Sequence, residues 1–382
     1  MKILALQPFL GGSHQQFHEG WVSHSEHDWT TIALPGRHWK WRMRHSAIHF
    51  AQEVGDRHRA GERWDAIICT DMLNVAEFRG LTPLVRDVPL VIYFHENQFA
   101  YPNRFHLERD QHFAFTNFVS AFAADQVWFN SCFNRDSMLA ALRDQAKRWP
   151  DFVPHDEIDS VEKKSCVQHP GIEIPPLDWS AVDQIRADRI RAGEPLHLIW
   201  AARWEHDKNP AGLLEALRKL RELDVPFELS VVGQQYRKWP PEFETIGCEF
   251  SNEIRRWGYQ QNRASYWQAL CEADVFVSTA THEFFGLAAA EAIAAGLHPL
   301  LPERLAYPEL LSVGGASVGP SCVYGVTPDE LAAAVVQLHR DRDQFTSLTI
   351  GPKFREHLSW SHRAKEMDHG ITTVANGNVT YG

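Results

Sequence analysis

His282-Glu283-Phe284-Phe285-Gly286-Leu287-Ala288-Ala289-Ala290-Glu291 decides how this chain folds. It follows Asp274-Val275-Phe276-Val277-Ser278, an apolar run that reads as a buried strand. It leads into an alanine-rich segment, 287–295, that favours helix and stops at Gly296. Strand, tight turn and helix predict a βα unit. The first N–H groups of such a helix have no partner within it, so they favour an anion, a phosphate above all. Glu283 stands just before those amides, and Glu291 about two turns further on. The two carboxylates therefore reach toward opposite sides of a bound diphosphate, one toward a sugar and the other toward ribose hydroxyls. Taken alone, the pair also reads as a surface Glu at a helix start and an unrelated Glu inside the helix.

A second stretch has the same grammar. Leu196-His197-Leu198-Ile199-Trp200-Ala201-Ala202 is an apolar strand-like run that opens into Arg203-Trp204-Glu205-His206-Asp207-Lys208-Asn209-Pro210. Arg203 offers a planar fork and Lys208 a point charge, on one loop ahead of a helix starting near Pro210. Together they suit a diphosphate. In isolation the loop also reads as a solvated basic turn, but it holds the same place in its βα unit as the Glu283 turn holds in a later one.

Outward from these two units, expected strands cover 3–6, 30–34, 66–69, 90–94 and 126–129. In the second half they cover 197–201, 227–232, 254–259, 275–278 and 298–301. Helical segments lie between them, at 111–123, 136–148, 213–223 and 264–272 among others. Near-continuous apolar strands alternating with helices predict parallel sheets covered on both faces. The fold class is α/β, with two doubly wound, Rossmann-like domains. Pro170, Pro175, Pro176 and Pro195 interrupt a polar stretch and mark the break. Domains are expected at 1–175 and 195–352, with a tail at 353–382 in which 354–367 reads as helix.

Ligands of such sheets bind at the carboxyl ends of strands. Polar residues gather there: Gly11-Gly12-Ser13-His14, Thr70-Asp71, His95-Glu96-Asn97 and Asn130-Ser131. The glycine pair lets backbone approach a ligand, or simply makes a turn. His95 reads as a satisfied structural histidine or as a site residue. Asp71 and Asn130 read as caps of the helices that follow.

At 382 residues the chain is long enough for two sizeable cores. No run approaches the eighteen apolar residues of a membrane span, and the chain starts directly as a strand, so neither a membrane nor a signal peptide is expected. Six scattered cysteines without a CxxC pair suit reduced packing residues in the cytoplasm. The 21 histidines contain no HExxH. Asp341-Arg342-Asp343 has a DxD pattern but follows a helical stretch, 331–338, and reads as a charged helix end. No metal is expected.

A net charge of −11 argues against a general nucleic-acid surface. Its distribution is uneven. From 35 to 63 stand Arg37, Lys40, Arg42, Arg44, Arg57, Arg59 and Arg63 against Glu53, Asp56 and Glu62, with Trp39 and Trp41 between the cations. Such a segment suits backbone phosphates and unpaired bases, and it also reads as a helix with tryptophans inward and arginines outward. Arg255, Arg256 and Arg263 form a second basic group.

The Arg203/Lys208 loop followed by the Glu283/Glu291 pair resembles the donor half of the retaining, GT-B-fold glycosyltransferases of family four. Four further stretches are more particular: Leu6-Gln7-Pro8-Phe9-Leu10-Gly11-Gly12-Ser13-His14, Leu34-Pro35-Gly36-Arg37-His38-Trp39-Lys40-Trp41-Arg42, Tyr93-Phe94-His95-Glu96-Asn97-Gln98 and Phe129-Asn130-Ser131. They resemble the tRNA-queuosine mannosyltransferase group, also described as glycosyltransferase-like domain-containing proteins, over nearly the whole chain. The resemblance implies a cleft between a tRNA-binding domain, 1–175, and a nucleotide-sugar-binding domain, 195–352, with the tail crossing back to the first. It implies metal-independent, retaining transfer of mannose from GDP-mannose to the cyclopentenediol of queuosine in a tRNA anticodon. The departing phosphate would accept the acceptor's proton, and no cofactor is needed.

Expected catalytic residues are His95, Arg203, Lys208 and Glu283. Donor binding falls to Gly11, Gly12, Arg203, Lys208, Glu283, Phe285, Gly286, Leu287 and Glu291. Acceptor binding falls to Ser13, His14, Arg37, Trp39, Lys40, Trp41, Arg42, Glu96 and Asn97. Three other readings stay open: a family-four transferase using another nucleotide-sugar and a lipid or small glycan acceptor, a nucleotide-sugar epimerase of GT-B fold, which the Arg203/Lys208 and Glu283/Glu291 combination fits less well, and a non-catalytic nucleotide- or RNA-binding module. The residues alone leave open the donor's base and sugar, the particular tRNA and the oligomeric state.

Overall fold

In the computed structural model, which describes residues 1–101, 111–315, 320–341 and 350–377, each apolar run of the first half becomes a strand of one parallel sheet. The order along the chain is β1 (Lys2–Leu10), α1 (Gly12–His24), β2 (Asp28–Pro35), α2 (Trp39–Arg59), β3 (Ala66–Thr70) and α3 (Val75–Leu81). It continues with β4 (Leu90–Phe94), α4 (Gln111–Ala123), β5 (Gln126–Phe129), α5 (Cys132–Ala146), α6 (His155–Lys163) and β6 (Ser165–Val167). The strands pair in parallel in the order β2-β1-β3-β4-β5-β6. β3, β4 and β5 are buried along their whole length, as a sheet covered on both faces requires. Alternate residues of β1 serve opposite faces. Leu4 and Leu6 pack with Phe50, Phe94 and Phe118, while Ile3 and Ala5 pack with Phe17, Trp21 and Trp128.

The second half builds a sheet of its own. It runs α7 (Trp179–Arg191), β7 (Leu196–Ala201), α8 (Pro210–Glu222), β8 (Phe227–Val232), α9 (Glu242–Glu249), β9 (Ile254–Gly258) and α10 (Arg263–Glu272). Then come β10 (Val275–Val277), α11 (Leu287–Ala294), β11 (His298–Pro302), α12 (Tyr307–Leu311), β12 (Val323–Tyr324), α13 (Pro328–Arg340) and α14 (Ile350–Leu358). All pairs are parallel, in the order β12-β11-β10-β7-β8-β9. Direction of winding reverses between β7 and β10, and in the first sheet between β1 and β3. Open α/β sheets bind their ligands at such reversals, beyond the carboxyl ends of the strands.

A last helix, α15 (Trp360–Ala375), joins the first sheet. Its Trp360, Met367 and Ile371 pack into the core with Ile3 and Trp21, and Asp368 accepts the Trp21 indole N–H at 2.8 Å. The chain thus divides into one unit of Met1–Gly171 with Trp360–Gly382 and another of Ile172–Ser359.

The sequence reading differs from this in places. The single helix expected at 354–367 is two helices broken at Ser359, which forms a parallel bridge with Ile172. α14 therefore belongs to the second unit, and the return to the first starts at Trp360 rather than at 353. Ser13 and His14 lie in the first turn of α1, not in a loop, because Gly12 already starts that helix. Asp341 ends α13, while Arg342 and Asp343 lie outside the described residues. Among the described residues no helix is long and apolar enough to cross a membrane, and all six cysteines are free thiols.

Candidate active site

Because β7 and β10 are neighbours, the loops leaving their carboxyl ends meet. The β7 loop closes with a single 3-10 turn, His206–Lys208. Asn209 follows in the left-handed region, and its side chain accepts the Gly212 N–H to start α8. This turn drives Lys208 inward, under the β10 loop. Its Nζ donates to the His282 carbonyl at 2.8 Å and lies 3.3 Å from Glu283 Oε2 and 3.1 Å from Asp207 Oδ2. Two of its N–H groups are hydrogen-bonded, to the His282 carbonyl and Glu283, and Asp207 adds a second nearby negative charge. Thr281 locks the loops together by donating its N–H and hydroxyl to the Asp207 carbonyl.

The electrostatics favour the ionised pair. Burial pulls the Lys208 ammonium down, but Glu283 and Asp207 outweigh it and hold the group above its ordinary value. Burial pushes the Glu283 carboxyl up, and Lys208 outweighs that, leaving it below the ordinary carboxylate value. His282 beside them is lowered to about 4, by burial first and the Lys208 charge second, so its ring is neutral at pH 7.

Arg203 leaves the same strand but stays exposed, with its guanidinium 3.3 Å from Glu205. Its loop is pinned to the β8 exit by Ala202 N–H to the Val232 carbonyl, 3.1 Å, and Trp204 N–H to the Gln234 carbonyl, 2.9 Å. Trp204 stacks on Phe243 at 4.2 Å. A Cβ on Gly233 would lie 1.7 Å from the Ala202 carbonyl oxygen, so only glycine fits there. No motif in the sequence singled out Gly233.

Beyond Glu283, Gly286 takes φ 94 and starts α11, whose first turn carries no acid. A pocket there is lined by Ala201, Ala202, Lys208, Ser278, Glu283 and Gly286. Leu287 does not line it; it is half-buried and packed on the core. Phe285 departs from the expectation of a ligand contact: its ring is buried in the core of the second unit. Glu291 is buried and engaged rather than open. It accepts from Arg263 Nη2 at 2.5 Å; burial and then this carboxylate push the Tyr266 hydroxyl far up. Arg263 and its neighbours form no free basic surface, since Arg255 is paired with Glu228 and Arg256 with Glu272.

In the first unit the winding reversal gathers His14, Asp71 and His95. The His14 and His95 rings lie 4.0 Å apart, and His95 meets Phe17 and Tyr93 edge-on. Asp71 and Asn130 are not helix caps; Asn74 and Ser131 cap α3 and α5 instead. Asp71 Oδ1 accepts the His95 N–H at 3.0 Å, and Asn130 Nδ2 donates to the His95 carbonyl at 2.8 Å. The next helix's Asn134 donates to Asn130 Oδ1. Burial, and then His14, hold His95 well below its ordinary value. Its Nε2 is buried and makes no hydrogen bond among the described residues. Burial, and then Glu96, raise the Asp71 carboxyl well above the usual range.

The remaining expected contacts separate into two sets. Asn97 is fully buried and spent on Asn134 and the Ala100 N–H, so it shapes the loop and has no face for an acceptor. Glu96 is half-buried and accepts from Gln98. Gly11 lies against Gly36, where a Cβ would sit 2.8 Å from the Gly11 Cα; its smallness serves that backbone approach. Gly12 and Ser13 are exposed. Of the basic segment, Trp39 turns inward against Phe113, 5.3 Å away, and Arg42 is buried with its Nε on the Pro35 carbonyl at 3.3 Å. Arg37, Lys40 and Trp41 face outward. Among the described residues no group of three or more His, Cys, Asp or Glu is arranged to hold a metal.

Two Rossmann-like units, each with a parallel sheet, give the chain the GT-B fold. Sucrose-phosphate synthase from Thermosynechococcus elongatus shares the fold, with a TM-score of 0.68 over 99% of this chain and 100% of that one at 14% identity. Family profiles described as tRNA-queuosine alpha-mannosyltransferase N-terminal and as Glycosyl transferases group 1 match residues 2–172 and 182–350. The tRNA-queuosine alpha-mannosyltransferase of Drosophila melanogaster is 36% identical over 311 residues, 81% of each chain. The chain belongs to the tRNA-queuosine alpha-mannosyltransferase family and is a glycosyltransferase. A more distant relative, the GDP-mannose:cellobiosyl-diphosphopolyprenol alpha-mannosyltransferase of Xanthomonas oryzae pv. oryzae, is 26% identical over 174 residues, 43% of each chain.

Proposed function

We propose that this enzyme moves mannose from GDP-mannose to queuosine in a tRNA anticodon, in the cytoplasm, with retention of configuration and without a metal or cofactor. The observation that carries the reading is the meeting of Lys208, Glu283 and the start of α11 at the winding reversal of the second sheet. Departure of the donor leaves negative charge on a diphosphate. Preorganised cations and backbone amides stabilise such charge most effectively when they are fixed before the reaction. Lys208 is fixed by two hydrogen bonds and the charge of Asp207, and Arg203 stands on the same loop with its head exposed. Glu283, held ionised by Lys208, suits sugar hydroxyls. Glu291 with Arg263 suits the ribose end, further along α11.

Both relatives named as mannosyltransferases support the sugar, and the name of the distant one supports GDP-mannose as donor. In the first unit, the unpartnered Nε2 of neutral His95 suits a hydroxyl of the reacting sugar or acceptor. The attacking hydroxyl's proton passes to the departing phosphate on the same face, so no protein nucleophile is required. Incubation with radiolabelled GDP-mannose, GDP-glucose or UDP-glucose and queuosine-containing tRNA tests this. Label in tRNA from GDP-mannose alone is the expected result. Label from a UDP-sugar, or label only in a lipid fraction, would overturn it.

A further inference from the structure

The start of α2 carries charge that the fold does not use. Arg37, Lys40 and Arg44 have no carboxylate partner among the described residues. Further along the same helix, Arg57 is paired with Glu53 and Glu62, and Arg59 with Asp56. Cations in a helix's first turns oppose its dipole, so they cost stability where they stand. Lys40 and Arg44 are nevertheless held in place. Lys40 Nζ lies 5.7 Å over the Trp39 ring, and the Arg44 guanidinium 4.7 Å over Phe113. Between them Trp41 projects with 59% of its surface exposed. One face of its indole is backed by His45, stacked at 4.9 Å and 12°.

We infer that Arg37, Lys40 and Arg44 hold backbone phosphates of the acceptor tRNA and that Trp41, backed by His45, stacks on an unpaired base of its loop. This rests on the proposed tRNA acceptor. An aromatic platform flanked by cations matches single-stranded nucleic acid, whose every base has a stacking face. A membrane surface asks instead for a continuous apolar face. That face of α2, formed by Met43, Ala47, Phe50 and Val54, is already buried. The surface also adjoins the acceptor-side residues of its own unit: Gly36 donates its N–H to the Leu10 carbonyl at 3.0 Å, next to the turn that carries His14.

Titration of the full-length chain with queuosine-containing tRNA over a salt series tests the inference. For R37A/K40A/R44A the slope of log K against log salt should become shallower by roughly 0.7–0.9 per lost phosphate contact. Trp41→Ala should weaken binding roughly 5- to 150-fold with the slope unchanged, and Trp41→Phe should keep most of the affinity. GDP titration and a melting scan establish that each variant is folded. Wild-type affinity and slope in the triple variant would overturn the inference. So would variants that lose only binding to vesicles containing anionic lipid. Absence of mannosyl transfer by a wild-type chain that binds tRNA would instead overturn the proposed acceptor, which separates the two failures.

Discussion

Lys208 Nζ and Glu283 Oε2 lie 3.3 Å apart although 75 residues separate them in the chain. They meet because β7 and β10 are adjacent where the winding of the sheet reverses. Each holds the other ionised: a buried cation is fixed beside a helix start, and a carboxylate is fixed beside that cation.

Removing one partner leaves the other charge uncompensated, which costs more than the pair contributes. Lys208→Met should lower kcat/KM by roughly two to three orders of magnitude and stability by about 3 kcal/mol. K208M/E283Q should regain part of the stability and none of the activity. Urea unfolding beside initial rates checks this, and the account fails if the double variant is as unstable as the sum of the singles.

The two glutamates should separate in their effects on GDP alone. Glu283→Gln frees the Lys208 charge, so GDP should bind at least as tightly as in the wild type while transfer drops. Glu291→Ala releases Arg263 and should weaken GDP binding itself. Equal losses in both variants by calorimetry would contradict the proposed orientation along α11.

The His95 loop is held by polar contacts rather than by apolar packing of its own backbone. Asn130→Ala unties the His95 carbonyl and should cost about 1–3 kcal/mol, with a loss in transfer. Asp71→Asn keeps an acceptor for the His95 N–H, and burial already disfavours the charge of Asp71, so Asn should be far milder than Ala. Identical behaviour of Asn and Ala at position 71 would show that the charge, not the hydrogen bond, is what the loop needs.

Stability should fall in mild acid. His18, His282 and His298 are each lowered from 6.5 to about 4, chiefly by burial. Above pH 6.5 these rings are neutral in both states. Between 6.5 and about 4 the unfolded chain takes up protons that the folded one refuses, so folding weakens as pH drops. Asp71 and Asp274, raised by burial, act in the opposite direction but are outnumbered. Tm should therefore decline from pH 7 to pH 5, and His298→Gln should flatten the decline. A constant Tm across that range would show that the buried rings do not govern acid stability.

Much of this architecture is legible in the sequence because it is local. Apolar runs such as 90–94 and 197–201 lie in fully buried central strands, and hydrophobic composition alone announces them. The strands Ser165–Val167 and Val323–Tyr324 escaped because they are short edges without an apolar run. In the site, the loops after β7 and β10 are readable, but which group faces which is not. The Arg263–Glu291 contact and the Asn130–His95 contact join residues that only the tertiary fold brings together. Trp39 and Arg42 show the same limit: a basic, aromatic helix start does not reveal which of its side chains turn inward.

The most direct test of the account is chemical. Queuosine-containing tRNA is incubated with the enzyme and GDP-mannose in the presence of a chelator, digested to nucleosides and analysed by mass spectrometry. The account predicts conversion of queuosine to a product heavier by one mannosyl residue, lost in Lys208→Met and retained when divalent metals are removed. Unmodified queuosine with an otherwise active, GDP-binding protein would contradict it.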